Sequence, residues 1–180
     1  MRILVTGGAG YIGSIMVPML LNASHDVTIL DNFMYEQTSL LDCCYNTNFK
    51  IIRGDVRDRN IMAELIPKVD CIIPLAAIVG APACGQDPIA ATSINLDAIR
   101  LILKLRSQNQ IIIFPNTNSG YGIGQEGSYC TEKTPLNPIS LYGRSKVQAE
   151  LEVLSSGYSV SLRLGTVAGV SPRMRLDLLV

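Results

Sequence analysis

Three side chains in the second half of the sequence have types and spacing suited to taking a proton from an alcohol. Tyr142 and Lys146 lie four residues apart in a predicted helix, so they share one helical face. A phenol with a pKa near about 10 is a poor base at neutral pH, and an ammonium group one turn away favours the phenolate and lowers that pKa. Thr117 ends a predicted strand and could hold the same alcohol by a hydrogen bond. The alternative for Tyr142 and Lys146 is an ordinary surface pair.

The N-terminal residues have a pattern that can hold a pyrophosphate. Gly8, Gly10 and Gly13 fit G-x-G-x-x-G, while Gly7, Gly10 and Gly13 fit G-x-x-G-x-x-G. The pattern follows the apolar run 3–5 and precedes apolar residues at helical spacing. Between a strand and a helix, such a turn lets the backbone approach a phosphate, and the helix N-terminus supplies free N–H groups. The alternative is a turn needed only for close packing of the strand and the helix.

Two carboxylates at predicted strand ends indicate which nucleotide would bind. Asp31 lies about twenty residues after the glycine pattern, where an acid can accept hydrogen bonds from both ribose hydroxyls. A carboxylate there would repel a 2′-phosphate, and Asn32 rather than an arginine follows, so we expect NAD rather than NADP. Asp55 could accept from the adenine amino group. The alternatives are a turn formed by Asp31 with Asn32, and a turn begun by Asp55 with Asp58 as the helix N-cap.

Small residues follow the fourth predicted strand at Leu75, Ala76 and Ala77. Side chains of this size would let the backbone lie along the phosphates and ribose of a cofactor. Tight packing alone is the alternative, and the sequence leaves both open.

The composition excludes several classes of function. The 180 residues carry a net charge of zero with scattered lysine and arginine, so nucleic acid is a poor candidate partner. No apolar run reaches the roughly 20 residues that span a bilayer, and the N-terminus enters a strand at once, so we expect no membrane span, no signal peptide and a cytoplasmic location. The five cysteines form no C-x-x-C pair, which argues against a disulfide framework and against a metal site.

Short apolar runs alternate with segments of helical periodicity, and this alternation predicts an α/β fold. We expect one domain containing a Rossmann-type, doubly wound parallel sheet flanked by helices. The predicted strands lie near Arg2–Val5, Val27–Leu30, Lys50–Arg53, Cys71–Leu75, Ile111–Pro115 and Val160–Leu164. The predicted helices are Tyr11–Leu21, Arg59–Ile66, Pro88–Arg106 and Leu141–Ser155.

Taken together, these motifs resemble those of the extended short-chain dehydrogenase/reductases, specifically the NAD-dependent sugar epimerase/dehydratase family. Besides the motifs above, the resemblance rests on Gly54-Asp55-Val56, Asn95, the Tyr121-Gly122 pair and Arg163. It covers nearly the whole chain in the family's order. The cofactor-binding residues that it implies are Gly7, Gly10, Tyr11, Ile12, Gly13, Asp31, Asn32, Asp55, Val56, Leu75, Ala76, Ala77, Asn95, Tyr142 and Lys146.

The resemblance also implies an activity. Family members oxidise a hydroxyl of a nucleotide-linked sugar by hydride transfer to NAD, and an epimerase returns the hydride to the opposite face of the keto-sugar. Tyr142 would be the base, Lys146 would bind the nicotinamide ribose, and Thr117 matches the catalytic Ser/Thr. The family often dimerises through two helices, which here match Pro88–Arg106 and Leu141–Ser155, so a homodimer is expected.

The sequence departs from the family's pattern in three places. Asn118 and Ser119 follow Thr117 where family dehydratases carry an Asp-Glu pair, so a dehydratase is disfavoured. Gly165-Thr166 stands where 4-epimerases often have an asparagine. Family members are longer, so we expect residues 1–180 to be the NAD-binding domain of a longer protein whose C-terminal substrate domain is missing. An epimerase, a sugar dehydrogenase or reductase, and a non-catalytic NAD-binding module remain as alternatives.

Overall fold

A parallel sheet organises the chain. The computed structural model describes residues 1–124 and 129–176, and within these ranges six strands form one sheet in the order β3-β2-β1-β4-β5-β6. The strands are β1 (Arg2–Thr6), β2 (Asp26–Asp31), β3 (Phe49–Arg53), β4 (Cys71–Pro74), β5 (Ile111–Thr117) and β6 (Ser159–Leu164). All of the pairs are parallel, which confirms the Rossmann-type sheet that the sequence predicts.

Helices lie between most successive strands, and those between β4 and β5 differ from the prediction. They are α1 (Gly13–Asn22), α2 (Arg59–Leu65), α3 (Ala81–Gln86), α4 (Pro88–Thr92), α5 (Ala98–Leu105) and α6 (Leu141–Ser155). The single helix predicted over Pro88–Arg106 is interrupted by a π-helical turn at Ser93–Asp97. The sequence prediction missed α3, because its six residues include Gly, Pro and Cys and show no helical periodicity.

Both faces of the sheet are buried at the central strands β1 and β4, which explains the continuous apolar runs there. Successive residues of β1 point to opposite faces. Leu4 packs in a core layer with Phe114, α2, α5 and α6, whereas Ile3 and Val5 pack in a second layer with α1. No helix in the described ranges is both long enough and apolar enough to cross a membrane.

The strand order reverses between β1 and β4, and this reversal positions the site. In an open parallel sheet, a crevice forms outside the carboxyl ends of the strands where the order reverses. The turn after β1 and the loop after β4 are therefore the two segments that border the crevice.

We predict that Gly13→Ala destabilises the fold although Gly13 has helical geometry. A Cβ at this position would collide with the backbone carbonyl of Gly8. We expect overpacking to lower the free energy of unfolding by about 1–3 kcal/mol in urea denaturation followed by circular dichroism.

The matched control is Gly85→Ala in α3. A Cβ there meets no atom within 4 Å, so the substitution should raise the free energy of unfolding by up to about 1 kcal/mol through helix propensity. Equal effects of the two substitutions would contradict the packing argument.

Candidate active site

One cavity of about 820 Å³ lies along the carboxyl edge of the sheet. Its volume falls within the roughly 300–1,000 Å³ that is usual for small-molecule and cofactor sites. The structure brings together on its lining almost every residue singled out from the sequence: Gly7, Gly10, Tyr11, Ile12, Gly13, Asp31, Asn32, Asp55, Val56, Leu75, Ala76, Ala77, Thr117, Tyr142 and Lys146. Asn95 and Gly8 do not line it, and neither do Tyr121, Gly122 and Arg163.

The glycine turn presents backbone donors to this cavity. Gly7 has a φ of +69°, and a Cβ at this position would come within 2.5 Å of the Ala76 nitrogen, so only glycine fits. Helix α1 has no side-chain cap and no acidic residue in its first turn. The N–H groups of Tyr11 and Ile12 have no acceptor within residues 1–124 and 129–176. Unpaired donors at a helix N-terminus suit an anion such as a phosphate.

Asp31 is buried and already has three hydrogen-bond donors. One carboxylate oxygen accepts from the Ala9 N–H at 3.0 Å, and the other accepts from the Phe33 N–H at 2.9 Å and from the Gln37 amide at 3.3 Å. The side chain therefore fixes the glycine turn to the end of β2 while it lines the cavity. Asp31 therefore stabilises the turn and also faces the space that a ligand would occupy.

Asp55 also combines two roles. Its carboxylate forms an ion pair with Arg57 at 2.6 Å, and these hydrogen bonds hold the pKa of Asp55 below its ordinary value. The carboxylate is therefore ionised and can accept hydrogen bonds at the cavity wall. Asp58 is the N-cap of α2 and accepts from the N–H groups of Asn60 and Ile61, as the turn interpretation predicts.

Asn95 lies outside the cavity lining and contacts the loop after β4. Its side chain accepts from the Ile78 N–H and donates to the Ile78 carbonyl, both at 2.9 Å. This pair of bonds fixes the loop after β4, which lines the cavity. The structure thus places Asn95 as a residue that positions the cofactor loop rather than as part of the lining.

Lys146 is buried against strand β5. Its Nζ donates to the Pro115 carbonyl at 2.7 Å and lies 4.0 Å from the centre of the Phe114 ring. Burial lowers the pKa of Lys146 to about 7, and the nearby Glu150 carboxylate counteracts only part of this effect. The side chain that was expected to be a fully charged ammonium beside Tyr142 is therefore a buried amine with a lowered pKa.

The structure corrects the expected pKa of Tyr142. Burial raises the pKa of this phenol above its ordinary value and outweighs the lowering by Arg175 and by the Thr117 hydroxyl. Burial also lowers the pKa of Lys146, so this amine is less fully charged near neutral pH than an ordinary lysine. The helix spacing correctly predicts that the two side chains share one cavity, but not their electrostatics.

Thr117 stands where β5 ends and has a defined orientation. Its Oγ1 accepts from the Ser119 N–H at 3.2 Å and donates to the Ser119 hydroxyl at 3.1 Å. Ser140 caps α6 by accepting from the Gly143 N–H, and this cap places Tyr142 in the first turn of the helix. Thr117 and Tyr142 therefore face the same space from two different elements.

Two arginines on the lining were not singled out from the sequence. Arg173 and Arg175 follow β6 and both line the cavity. Their position in the sequence could have predicted this, because residues that follow the last strand of a parallel sheet lie at the same edge as the other strand ends.

The comparisons with known proteins agree with this geometry. A model described as the NAD dependent epimerase/dehydratase family matches residues 3–177. The chain is 32% identical over 181 residues to a UDP-glucose 4-epimerase from Lacticaseibacillus casei, which covers 96% of this chain and 53% of the relative. It is 38% identical over 125 residues to a UDP-N-acetyl-alpha-D-glucosaminuronate decarboxylase from Bacillus cytotoxicus, which covers 68% of this chain and 38% of the relative.

A solved structure shows the same architecture. A UDP-glucuronic acid 4-epimerase from Bacillus cereus, in complex with NAD, matches with a TM-score of 0.84 and 28% identity, covering 98% of this chain and 60% of the other. The chain spans about half the length, or less, of these curated relatives. Since the family match extends over nearly the whole sequence, this chain belongs to the NAD-dependent epimerase/dehydratase family.

Proposed function

We propose that residues 1–180 are the cofactor-binding part of an NAD-dependent nucleotide-sugar epimerase. The observation that carries this proposal is that Thr117, Tyr142 and Lys146 line the same cavity as the glycine turn. A group that can accept a proton and a turn that can hold a pyrophosphate are thus within reach of one bound cofactor and one sugar. The activity of the whole protein, with the residues that bind the sugar nucleotide, is part of this proposal.

The residues on the lining fit NAD at each of its polar groups. The Tyr11 and Ile12 N–H groups would bind the pyrophosphate, because they have no acceptor within the described ranges. Asp31 would accept from the adenosine ribose, and the ionised Asp55 would accept from the adenine amino group. When bound, NAD would supply a hydride acceptor for the oxidation of a sugar hydroxyl.

Residues of the chain would then bind that hydroxyl and accept its proton. Thr117 would hold the sugar oxygen by a hydrogen bond, and the Tyr142 phenolate oxygen would take the proton. Because burial raises the pKa of Tyr142, the phenolate needs stabilisation inside the filled site. Lys146 would provide this when protonated, with its Nζ fixed by the Pro115 carbonyl.

A panel of sugar nucleotides can identify the substrate, and the fate of NAD can distinguish an epimerase from a dehydrogenase. The relatives named above act on UDP-linked sugars by name, so we propose a nucleotide sugar, with a sugar acid as one member of the panel. An epimerase would retain NAD without net redox change, whereas a dehydrogenase would release stoichiometric NADH. Asn118 and Ser119 disfavour a dehydratase, since they cannot replace the expected acidic pair. The homodimer stays a prediction that sedimentation can test.

We predict that Tyr142→Phe abolishes sugar oxidation and leaves NAD binding nearly intact. The phenylalanine keeps the ring but removes the oxygen that takes the proton, so the single-turnover rate of NAD reduction should fall about 10²- to 10⁴-fold. The measurement uses a panel of UDP-, GDP- and dTDP-sugars, with NAD affinity determined by titration.

Tyr158→Phe is the control, because Tyr158 is 61% exposed and lies outside the cavity. It should change neither the rate nor NAD affinity. An unchanged rate in the Tyr142→Phe variant would rule out the proposed base.

We predict that Asp31→Asn shifts the cofactor preference from NAD toward NADP. The amide oxygen can still accept from the Ala9 N–H, although the amide nitrogen cannot accept from Phe33 and Gln37, and the charge that repels a 2′-phosphate disappears. Urea unfolding of the variant checks that the turn is retained. The measurement is the ratio of the two dissociation constants in the native chain and in the variant. An identical ratio in both would count against the ribose role of Asp31.

We predict that Lys146→Met changes the pH dependence of stability. Unfolded lysine has a pKa near 10.5 and the folded side chain one of about 7, so the unfolded chain binds more protons between these values. As the pH rises through this window, the free energy of unfolding of the native chain should therefore increase, relative to that of the variant, by about 1.4 kcal/mol per pH unit. Below the window the amine is protonated in both states, so the cost of burying its charge is at its maximum and no longer changes with pH.

Urea unfolding at several pH values between 6 and about 9.5 measures this slope, with Lys104→Met as the exposed-lysine control. The free energy of unfolding of the control should have the same pH dependence as that of the native chain. Parallel profiles for Lys146→Met as well would show that burial does not shift this amine.

A further inference from the structure

The segment after β6 returns to the glycine turn and is anchored there. Ser171 is only 8% exposed; its hydroxyl donates to the Tyr11 carbonyl at 2.8 Å and lies 2.7 Å from the Ser14 hydroxyl. The Tyr11 phenol in turn donates to the Gly169 carbonyl at 2.7 Å. We call residues 169–173 the return segment. These bonds fix it over the N-terminus of α1, where backbone N–H groups face the cavity.

Arg173, at the end of the return segment, has no counter-ion among the residues that the structure describes. Its guanidinium lies 4.1 Å from the centre of the Tyr35 ring, and both side chains line the cavity. Within residues 1–124 and 129–176 it forms no ion pair and no side-chain hydrogen bond. By contrast, Asp55 is paired with Arg57 and Lys146 is bonded to the Pro115 carbonyl.

The stacked geometry leaves the hydrogen-bonding edge of Arg173 available. A guanidinium that lies over an aromatic ring presents its face to the ring, while its N–H donors point outward in its own plane. Those donors match a phosphate in a bidentate arrangement. Arg173 follows Ser171 by two residues, so its Cα lies within about 7 Å of a residue hydrogen-bonded to Tyr11.

We propose that Arg173 binds the diphosphate of the dinucleotide and, with Tyr35, closes over its adenosine half. This inference rests on the proposed function. The diphosphate would then have neutral N–H donors of the glycine turn on one side and a full positive charge on the other. Helix α1 alone supplies only a partial charge, and its first turn contains no basic residue.

A diphosphate could also come from a sugar-nucleotide substrate, and position favours the cofactor. The return segment contacts Tyr11 and Ser14, which follow β1, and Arg173 contacts Tyr35, which follows β2. These elements form the half of the cavity that holds Asp31. Thr117 and Tyr142, where a sugar would react, belong to β5 and α6 on the other half.

The test compares ligands with and without phosphates on the chain itself. Calorimetric titrations with NAD, ADP, adenosine and UDP-glucose are made on the native chain and on Arg173→Met. We expect the affinities for NAD and ADP to fall about tenfold and that for adenosine to change less than about twofold. Arg173→Lys should recover part of the loss, since it keeps the charge but not the planar fork.

Two further variants separate binding from folding. Tyr35→Leu removes the ring beneath the guanidinium and should lower the affinity for ADP by about threefold. Arg144→Met is the matched control; Arg144 is exposed at the start of α6, away from the cavity, and its replacement should leave every affinity unchanged. Urea unfolding of each variant checks that the fold is retained.

Each outcome decides between the inference and the proposed function. Native-like ADP affinity in Arg173→Met overturns the inference, as does a loss confined to UDP-glucose, which would assign Arg173 to the substrate. If the native chain binds neither NAD nor ADP, both the inference and the proposed function fail. If NAD binding depends on Arg173 but the whole protein, which includes the residues that bind the sugar nucleotide, oxidises no sugar of the panel, the inference stands and the proposed function fails.

Discussion

The close approach of two backbone segments, one after β1 and one after β4, is the constraint on which the cavity depends. Gly7 has a positive φ, and any Cβ there would overlap the backbone of Ala76. The crevice opens at this point because the strand order reverses between these two strands. With no side chain between them, the wall consists of backbone, and the Tyr11 and Ile12 N–H groups reach the cavity directly. A side chain at Gly7 would separate the segments and remove this wall.

Burial dominates the electrostatics of the reactive residues. Lys146 was expected to act on Tyr142 through its charge, but its amine is desolvated between the Phe114 ring and the Pro115 carbonyl. The same exclusion of water raises the pKa of the phenol and lowers that of the amine, so each group tends toward its neutral form. In such a site a single added charge has a large effect, because little solvent screens it.

The sequence predicts the elements with strong local patterns and the residues at strand ends. The central strands contain continuous apolar runs, and Thr117, Asp31 and Asp55 could be assigned to one edge because parallel strands share it. The π-helical turn that interrupts the long helix contains Asn95, whose side chain bonds to Ile78 in the loop after β4. Spacing along the chain does not reveal such a contact, and the same holds for the stacking of Arg173 on a tyrosine far away in the sequence.

An ion pair between Glu150 and Arg163 joins α6 to β6. Glu150 lies one turn after Lys146 on α6 and is 1% exposed. Burial acts to raise the pKa of Glu150, but hydrogen bonds from Arg163 and Ser161 outweigh it and keep the pKa below its ordinary value. Both partners belong to β6, the strand that leads into the return segment. The pair therefore links the helix carrying Tyr142, the proposed base, to the strand that leads toward Arg173, the proposed diphosphate ligand.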